Sequence, residues 1–379
     1  MRFTKTAMNL MNTGPLFRDA LASRSPRVLA SLLGPAYRGL VQQVAKVQPQ
    51  MSMPLDYRAR FDWSYQREFP AMAKLYEVAK ASQWNAATDI DWSRPVDPIA
   101  TELMPDKILP FADAPAFQRM SPREKATQRH WALAWLLSQF LHGEQGALFA
   151  AAQVTEAVPW FDAKLYGSTQ VVDEGRHVET FHTYLTTKLE KLYQINDNLY
   201  VVIDALMTDS RWDLKFLGMQ IMIEGLALGA FGTIRQLVPE PLLRDLLGYV
   251  ITDEARHVHY GVLALSRYYK EELSERERRQ REDWAFEVAL LLRNRFLGHE
   301  MYEESFAHSM SRRAWDKMVE RSEMMRVFRV TMFKRIVPNL KAIGLLSERI
   351  RPRYAAAGLL DYESGKAAPD LTANDLMEG

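Results

Sequence analysis

Val172-Asp173-Glu174-Gly175-Arg176-His177 and Thr252-Asp253-Glu254-Ala255-Arg256-His257 are the two stretches that decide how this sequence folds. In both, Asp, Glu, Arg and His keep the same order, and each lies 80 residues from its counterpart. Glu and His three positions apart share one face of an α-helix, so each hexad can direct a carboxylate and an imidazole at one metal ion. Two lone glutamates sit in otherwise apolar stretches: Glu144 in Leu141-His142-Gly143-Glu144-Gln145-Gly146, and Glu224 in Met222-Ile223-Glu224-Gly225-Leu226. They too are 80 residues apart, and each precedes its Glu-x-x-His glutamate by 30. At about 1.5 Å per residue, some 14 residues out along one helix and 14 back along the next return an antiparallel pair to the same height. Two such hairpins face Glu144, Glu174, His177, Glu224, Glu254 and His257 onto one point. Six O and N ligands with bridging carboxylates suit two ions of iron or manganese and leave positions open for oxygen. Burying four carboxylates with no cation would be strongly unfavourable, which favours metal ligation over a solvated face.

Beside the ligands, Asp173 and Asp253 fit as acceptors for the far ring nitrogens of the two histidines, with Arg176 and Arg256 pairing to them. His182 and His259 fall off the ligand face and are expected to be supporting or structural groups. Phe140, Leu141, Leu148, Phe181, Leu228 and Phe231 lie within about two helical turns of ligands and are candidates for an apolar pocket; the same spacing also suits plain bundle core.

Outward from the hexads the periodicity predicts four long helices, near 122–155, 159–192, 209–237 and 241–272, separated by Pro159, the Asn196-Asp197-Asn198 cluster and Pro239-Glu240-Pro241. The start is marked by Ser121-Pro122-Arg123-Glu124, with serine at the cap, proline at the first position and glutamate at the third. The fold class is therefore all-α, a four-helix bundle with a di-metal core and extra helices at both ends. Residues 1–120 read as an irregular and helical extension, Pro70 to Ala81 being its clearest helix. Residues 121–275 form the bundle, 276–362 carry further helices near 276–300 and 311–336, and 363–379 read as a disordered tail.

The chain has 379 residues, 47% hydrophobic and 25% charged, which allows a sizeable core and indicates neither disorder nor a membrane bundle. Lys+Arg 48 against Asp+Glu 47 gives no electrostatic case for nucleic acid. Locally, Arg2, Lys5, Arg18, Arg24, Arg27, Arg38 and Lys46 face only Asp19 within the first 50 residues, a basic arm that an acidic partner could meet. With no cysteine, disulfides, thiolate zinc sites and cysteine-held clusters are excluded within the chain. Met8 to Leu21 is broken by Asn9, Asn12, Pro15 and Arg18, and no long uncharged apolar run stands out, so a cytoplasmic protein without a transmembrane segment is expected.

Over residues 122–272 the pattern resembles the ferritin-like di-iron carboxylate oxidases and oxygenases: Glu, Asp-Glu-x-Arg-His, Glu, Asp-Glu-x-Arg-His. The segment Gln83-Trp84-Asn85 to Asp89-Ile90-Asp91-Trp92 adds to the likeness. It extends to the hydroxylase large subunits of bacterial multicomponent monooxygenases, although their threonine four residues after the third glutamate is Leu228 here. Compared with the radical-bearing subunit of ribonucleotide reductase, the radical tyrosine is replaced by Phe181; compared with arylamine N-oxygenases, an extra ligating histidine is replaced by Val250. The resemblance implies two iron ions, or a mixed Mn/Fe pair, with O2 as co-substrate. It further implies monooxygenation, by hydroxylation or N-oxygenation, of a small, largely apolar or aromatic organic substrate, and by analogy a homodimer. Oxidase or desaturase chemistry, or ferroxidase activity without an organic substrate, uses the same ligands. Two electrons must come from outside, so a separate reductase or ferredoxin is expected, with the basic arm as one docking surface.

Overall fold

The serine hydroxyl of Ser121 accepts from the amide of Glu124 while the Glu124 carboxylate accepts from the amide of Ser121 at 2.7 Å, and this reciprocal cap starts the first bundle helix. The computed structural model describes residues 26–48, 50–55, 58–101, 103–361, 363–372 and 375, and every regular element among them is helical. In chain order the principal helices are α1 (Pro26–Ala36), α2 (Pro70–Ala81), α3 (Pro122–Ala157), α4 (Phe161–Thr187), α5 (Asp197–Thr208), α6 (Trp212–Leu237), α7 (Pro241–Glu271), α8 (Glu275–Asn294), α9 (Arg312–Arg321) and α10 (Glu323–Ala342). The hairpins α3–α4 and α6–α7 form the four-helix core, with α5 between them in sequence. Helix α2 lies across α4 and α7, α10 covers α6, and α1 packs on α5. Glu240 ties two bundle helices together: its carboxylate caps the amides of Leu242 and Leu243 and accepts from the buried Tyr184 hydroxyl, each at 2.7 Å.

Several predicted boundaries shift, each for a local reason. The helix predicted to Gln194's neighbourhood, 159–192, stops at Thr187. The chain there turns through Glu190 at φ 48°, and the amides of Leu189 and Lys191 satisfy the carbonyls of Tyr184 and Leu185. The polar cluster read as a break caps a further helix, α5: Asn196 accepts from the Asn198 amide at 3.0 Å. Leu199, Val201, Val202 and Leu206 in α5 have no exposed surface, so this helix is core. The helix predicted over 276–300 ends at Asn294, followed by a tighter turn and Gly298 at φ 56°. The one predicted over 311–336 is two helices, because Ser322 is extended and its hydroxyl caps the Met325 amide at 3.2 Å.

The extension and the tail also differ from their sequence reading. Arg38 pairs with Asp204 at 2.7 Å and Lys46 with Asp197 and Glu300 at 2.9 Å, so both serve the fold rather than a docking arm. Arg2, Lys5, Arg18 and Arg24 lie outside the described residues, as does the side chain of Arg27. Within the expected disordered tail, Ala367 and Ala368 are buried, and the Ala368 amide donates to Asn339 Oδ1 at 2.8 Å. Helix α6 is, among the described residues, the one helix long and apolar enough to cross a membrane, and 94% of its apolar window is buried inside the bundle.

Within α6, Leu217–Ile223 widens into a π-helical turn directly before Glu224. One inserted residue of this kind rotates everything beyond it relative to the preceding turn, and it commonly marks a functional position. All seven residues are buried, and the close approach falls on Gly218, where a Cβ would sit 2.1 Å from Leu206 Cδ2 and 2.8 Å from Trp284. Gly218→Ala is therefore expected to destabilise the fold by about 1–3 kcal/mol through overpacking. Urea unfolding checks this, and an unchanged midpoint would show that the turn can absorb a methyl group.

Candidate metal centre

Helices α3, α4, α6 and α7 turn four glutamates and two histidines inward at one level. Glu174, His177, Glu254 and His257 have no exposed surface, Glu224 is 2% exposed and Glu144 5%. Two groups of ligand-type atoms lie within 4.8 Å of one another: Glu144, Glu174, His177 and Glu254, and Glu174, Glu224 and His257. Glu174 belongs to both. Its two carboxylate oxygens reach different histidines, Oε1 at 3.1 Å from His257 Nδ1 and Oε2 at 3.5 Å from His177 Nδ1. Glu254 Oε1 lies 3.1 Å from His177 Nδ1 and 3.7 Å from His257 Nδ1. Glu174 is thus shared by the two groups and Glu254 stands between the two histidines, with Glu144 beside His177 at 3.3 Å and Glu224 on the His257 side.

The other face of each imidazole is fixed by the opposite hexad. His177 Nε2 meets Asp253 Oδ2 at 3.2 Å, and His257 Nε2 meets Asp173 Oδ2 at 3.2 Å. Arg176 and Arg256 each hydrogen-bond the aspartate of their own hexad and reach across to the other, at 3.2 Å and 3.4 Å. Two aspartates and two arginines therefore alternate around a closed ring behind the histidines, the crossing being the part that helix periodicity could not foretell. The arrangement points both Nδ1 atoms at the carboxylates and leaves both Nε2 atoms to the aspartates, as metal-ligating histidines require.

Whether the cluster fits metal can be judged from its orphaned atoms. Glu174 Oε2, Glu224 Oε2, both oxygens of Glu254 and His257 Nδ1 are buried with no hydrogen-bond partner among the described residues. Leaving so many lone pairs dry is costly, and two divalent cations would satisfy all of them at once. The four carboxylates are then neutralised by the two ions and the two aspartates by the two arginines.

Protonation follows the same logic. Burial, reinforced by neighbouring glutamates, holds Glu144 and Glu224 well above the usual carboxylate range. Burial opposes charge on His177 and His257, but Asp253 and Glu144 for the first, and Glu174 and Asp173 for the second, hold both well above the ordinary imidazole range. Burial opposes ionisation of Glu174 too, yet the two imidazoles hold it low. At neutral pH the metal-free cluster therefore stores protons that metal must displace. Titration calorimetry with a divalent ion in buffers of different ionisation enthalpy is expected to show net proton release, and affinity is expected to fall as pH drops from about 7.5 to about 5.5. Metal binding without proton release would place the ion elsewhere.

Of the six candidate pocket residues, only Phe140 lines the recess that opens on the cluster. That recess is bounded by Gln139, Phe140, Gly143 and Ala147 of α3, Ile223 and Ala227 of α6, the carboxylates of Glu144, Glu224 and Glu254, and Arg295. Leu141, Leu148 and Leu228 lie on the far side of Glu144 and Glu224, some 80–100° around their helices from the recess wall. Leu141 and Leu228 are core and Leu148 is half-buried. Phe181 and Phe231 pack against Phe140 as an aromatic trio, at centroid distances of 4.6 to 6.1 Å. His182 is exposed and His259 half-buried, away from the ligands.

Four supporting residues were not anticipated as part of the site. Gln170, one turn before Glu174, donates at 3.0 Å to both Glu174 Oε1 and Glu224 Oε1. Trp84 donates to Asp253 Oδ2 at 2.7 Å and stacks over the Arg176 guanidinium, 5.0 Å from its ring centroid. Gln83 bonds both Asp173 and Arg176. The fourth, Arg295, carries no sequence mark that separates it from Arg293.

Neither a protein-family model nor a curated protein sequence matches the chain. Among solved structures it is similar to three variants of an R2-like ligand-binding oxidase with an anaerobically reconstituted Mn/Fe cofactor, each at 20% identity and a TM-score of 0.42. The alignments cover 69%, 76% and 72% of this chain and 92%, 97% and 95% of the respective structures.

Proposed function

We propose that this chain is an O2-dependent di-metal oxidoreductase, and within that class a monooxygenase of a small organic substrate with a largely apolar or aromatic body. The observation that carries the reading is the buried set of four glutamates and two inward-turned histidines, whose orphaned oxygens and nitrogen ask for two cations. Glu144, Glu174, His177, Glu224, Glu254 and His257 would hold them, as two irons or a manganese-iron pair. Bound there, such a pair supplies reductive activation of O2.

The chain's own residues then have defined tasks. Asp253 and Asp173 fix the tautomer and ring orientation of His177 and His257, and Arg176 and Arg256 keep the aspartates ionised and in place. Gln170 steadies the Glu174 and Glu224 carboxylates at their adjoining edges. Phe140 lines the recess and is backed by Phe181 and Phe231, so its wall there is apolar. A cysteine-free chain holds no iron-sulfur relay of its own, so the electrons come from a separate reductase or ferredoxin. The protein is further proposed to act as a symmetric dimer.

The test is Mössbauer spectroscopy of protein loaded with iron-57, followed by O2 uptake with a chemical reductant and a panel of small aromatic and aliphatic compounds. About two antiferromagnetically coupled irons per chain and an oxygenated organic product are expected. Ferrous oxidation with no organic turnover would make it a ferroxidase, and a metal-free or single-zinc protein would overturn the reading altogether.

A further inference from the structure

Arg295 is 3% exposed and lines the same recess as Glu144, Glu224 and Glu254. It forms no side-chain hydrogen bond and no ion pair with any described residue; its ring contact is with the adjacent Phe296. Other deeply buried arginines in the protein are paired: Arg256 with Asp253 and Asp173, Arg281 with Asp213. A lone buried guanidinium is expensive, and burial alone lowers its pKa to about 10, which still leaves it charged at neutral pH. A metal-loaded cluster would not need it, because two divalent cations would balance the four glutamates. Arg295 is thus a buried positive charge without a partner among the described residues, on a recess walled by the three cluster glutamates on one side and by Phe140, Gly143, Ala147, Ile223 and Ala227 on the other. The remaining polar group there, Gln139, is engaged with the Gln194 carbonyl and the Asn196 amide. The wall has slack at Gly143, where an added Cβ meets nothing within 4 Å although the residue is buried, so a ligand larger than a water would have to widen the recess there.

We infer that Arg295 is the anchor for a carboxylate on the substrate, so that the enzyme acts on small organic acids whose apolar portion lies over Phe140, Gly143, Ala147 and Ala227 and faces the metal cluster. The inference rests on the proposed oxygenase reading and narrows its substrate class. A guanidinium meets a carboxylate through two parallel N–H donors, which fixes direction as well as charge. With the acid group held there, the carbon presented to the metals is set by the distance along the apolar body, so Arg295 is a specificity-determining residue and takes no part in the oxidation itself.

The experiment is calorimetric binding of benzoate and hexanoate, each against its neutral amide, to iron-loaded wild type and to Arg295→Gln, with iron content and the visible spectrum recorded on the same samples. Wild type is expected to bind at least one acid at least thirtyfold more tightly than its amide, about the loss seen when one partner of a buried charge pair is removed. Arg295→Gln should bind acid and amide alike, keep its iron and spectrum, and melt no lower than wild type, since an unpaired buried charge has been removed. Gly143→Leu, which fills the recess, should bind neither probe while still folding. Retention of the acid preference by Arg295→Gln, or an acid that perturbs the iron spectrum and still binds Arg295→Gln tightly, would place the carboxylate elsewhere than on Arg295 and overturn the assignment. Equal binding of acid and amide by a fully iron-loaded wild type would also overturn it and leave the oxygenase reading standing, whereas a wild type without iron would remove both.

Discussion

Glu254→Ala is expected to reduce metal content from about two ions per chain to at most one and to abolish reductant-dependent O2 uptake, because a carboxylate standing between the two histidines would serve both ions. Glu254 is the glutamate with both oxygens orphaned, and one of them lies between the two histidines. The thermal behaviour should separate a lost site from a lost fold. Metal that binds only the native state at 1,000 times its Kd stabilises by about 4 kcal/mol. Wild type should therefore melt well above its own metal-free form, and the variant should lose that increment. The metal-free variant should be no less stable than metal-free wild type, since an unsatisfied buried carboxylate has gone. Retention of two coupled irons by Glu254→Ala would sink the ligand assignment, whereas collapse of the metal-free variant would point to a structural role.

Asp253→Asn is expected to have the second largest effect, through groups it touches rather than through metal contact. Asp253 accepts from the indole of Trp84, from Arg176, from Arg256 and from His177. Removing its charge leaves two guanidiniums, 11% and 7% exposed, sharing Asp173 alone. Breaking a buried pair on one side costs about 3–5 kcal/mol. Loss of the partner that orients a ligating histidine typically lowers metal affinity about 10–100-fold. The carboxyl is also held below its ordinary range, burial being outweighed by His177 and Arg256, so it is ionised at every pH at which the protein is handled. An internal control is Asp245→Asn, whose pair with Arg94 is exposed and should contribute less than about 1 kcal/mol. Equal effects from the two substitutions in urea unfolding and metal titration would mean that the buried ring is no more than a surface pair.

How far the sequence carried can be seen residue by residue. The six ligand candidates converge because their spacing is a consequence of helix rise alone, and rise does not depend on what else packs nearby. The aspartates and arginines fall beside the histidines for the same reason, yet their crossed pairing depends on how the two hairpins face each other, which periodicity does not encode. Leu141, Leu148 and Leu228 show what helix rise leaves open: it sets their height beside the ligands, while pocket wall and plain bundle core share that height, and Leu141 and Leu228 are buried in the core. Helix α5 was hidden because it is apolar on nearly every face, so no stripe distinguished it from a connecting run. Arg295 was invisible, since exposed and buried arginines share one letter and only the turn before Gly298 carries this one inward.

The crossing of the two hexads has a consequence for how the protein is made. Neither hairpin contains a complete coordination sphere, because the histidine of one is oriented by the aspartate of the other. A nascent chain that has released α3 and α4 from the ribosome carries Glu144, Glu174 and His177 but no Asp253 to set the imidazole. Iron delivered at that stage would meet loosely held ligands and could be lost or react with oxygen in the open. Faithful loading must wait for translation to pass residue 257, and the cell's metal supply then meets a finished vessel rather than a growing one.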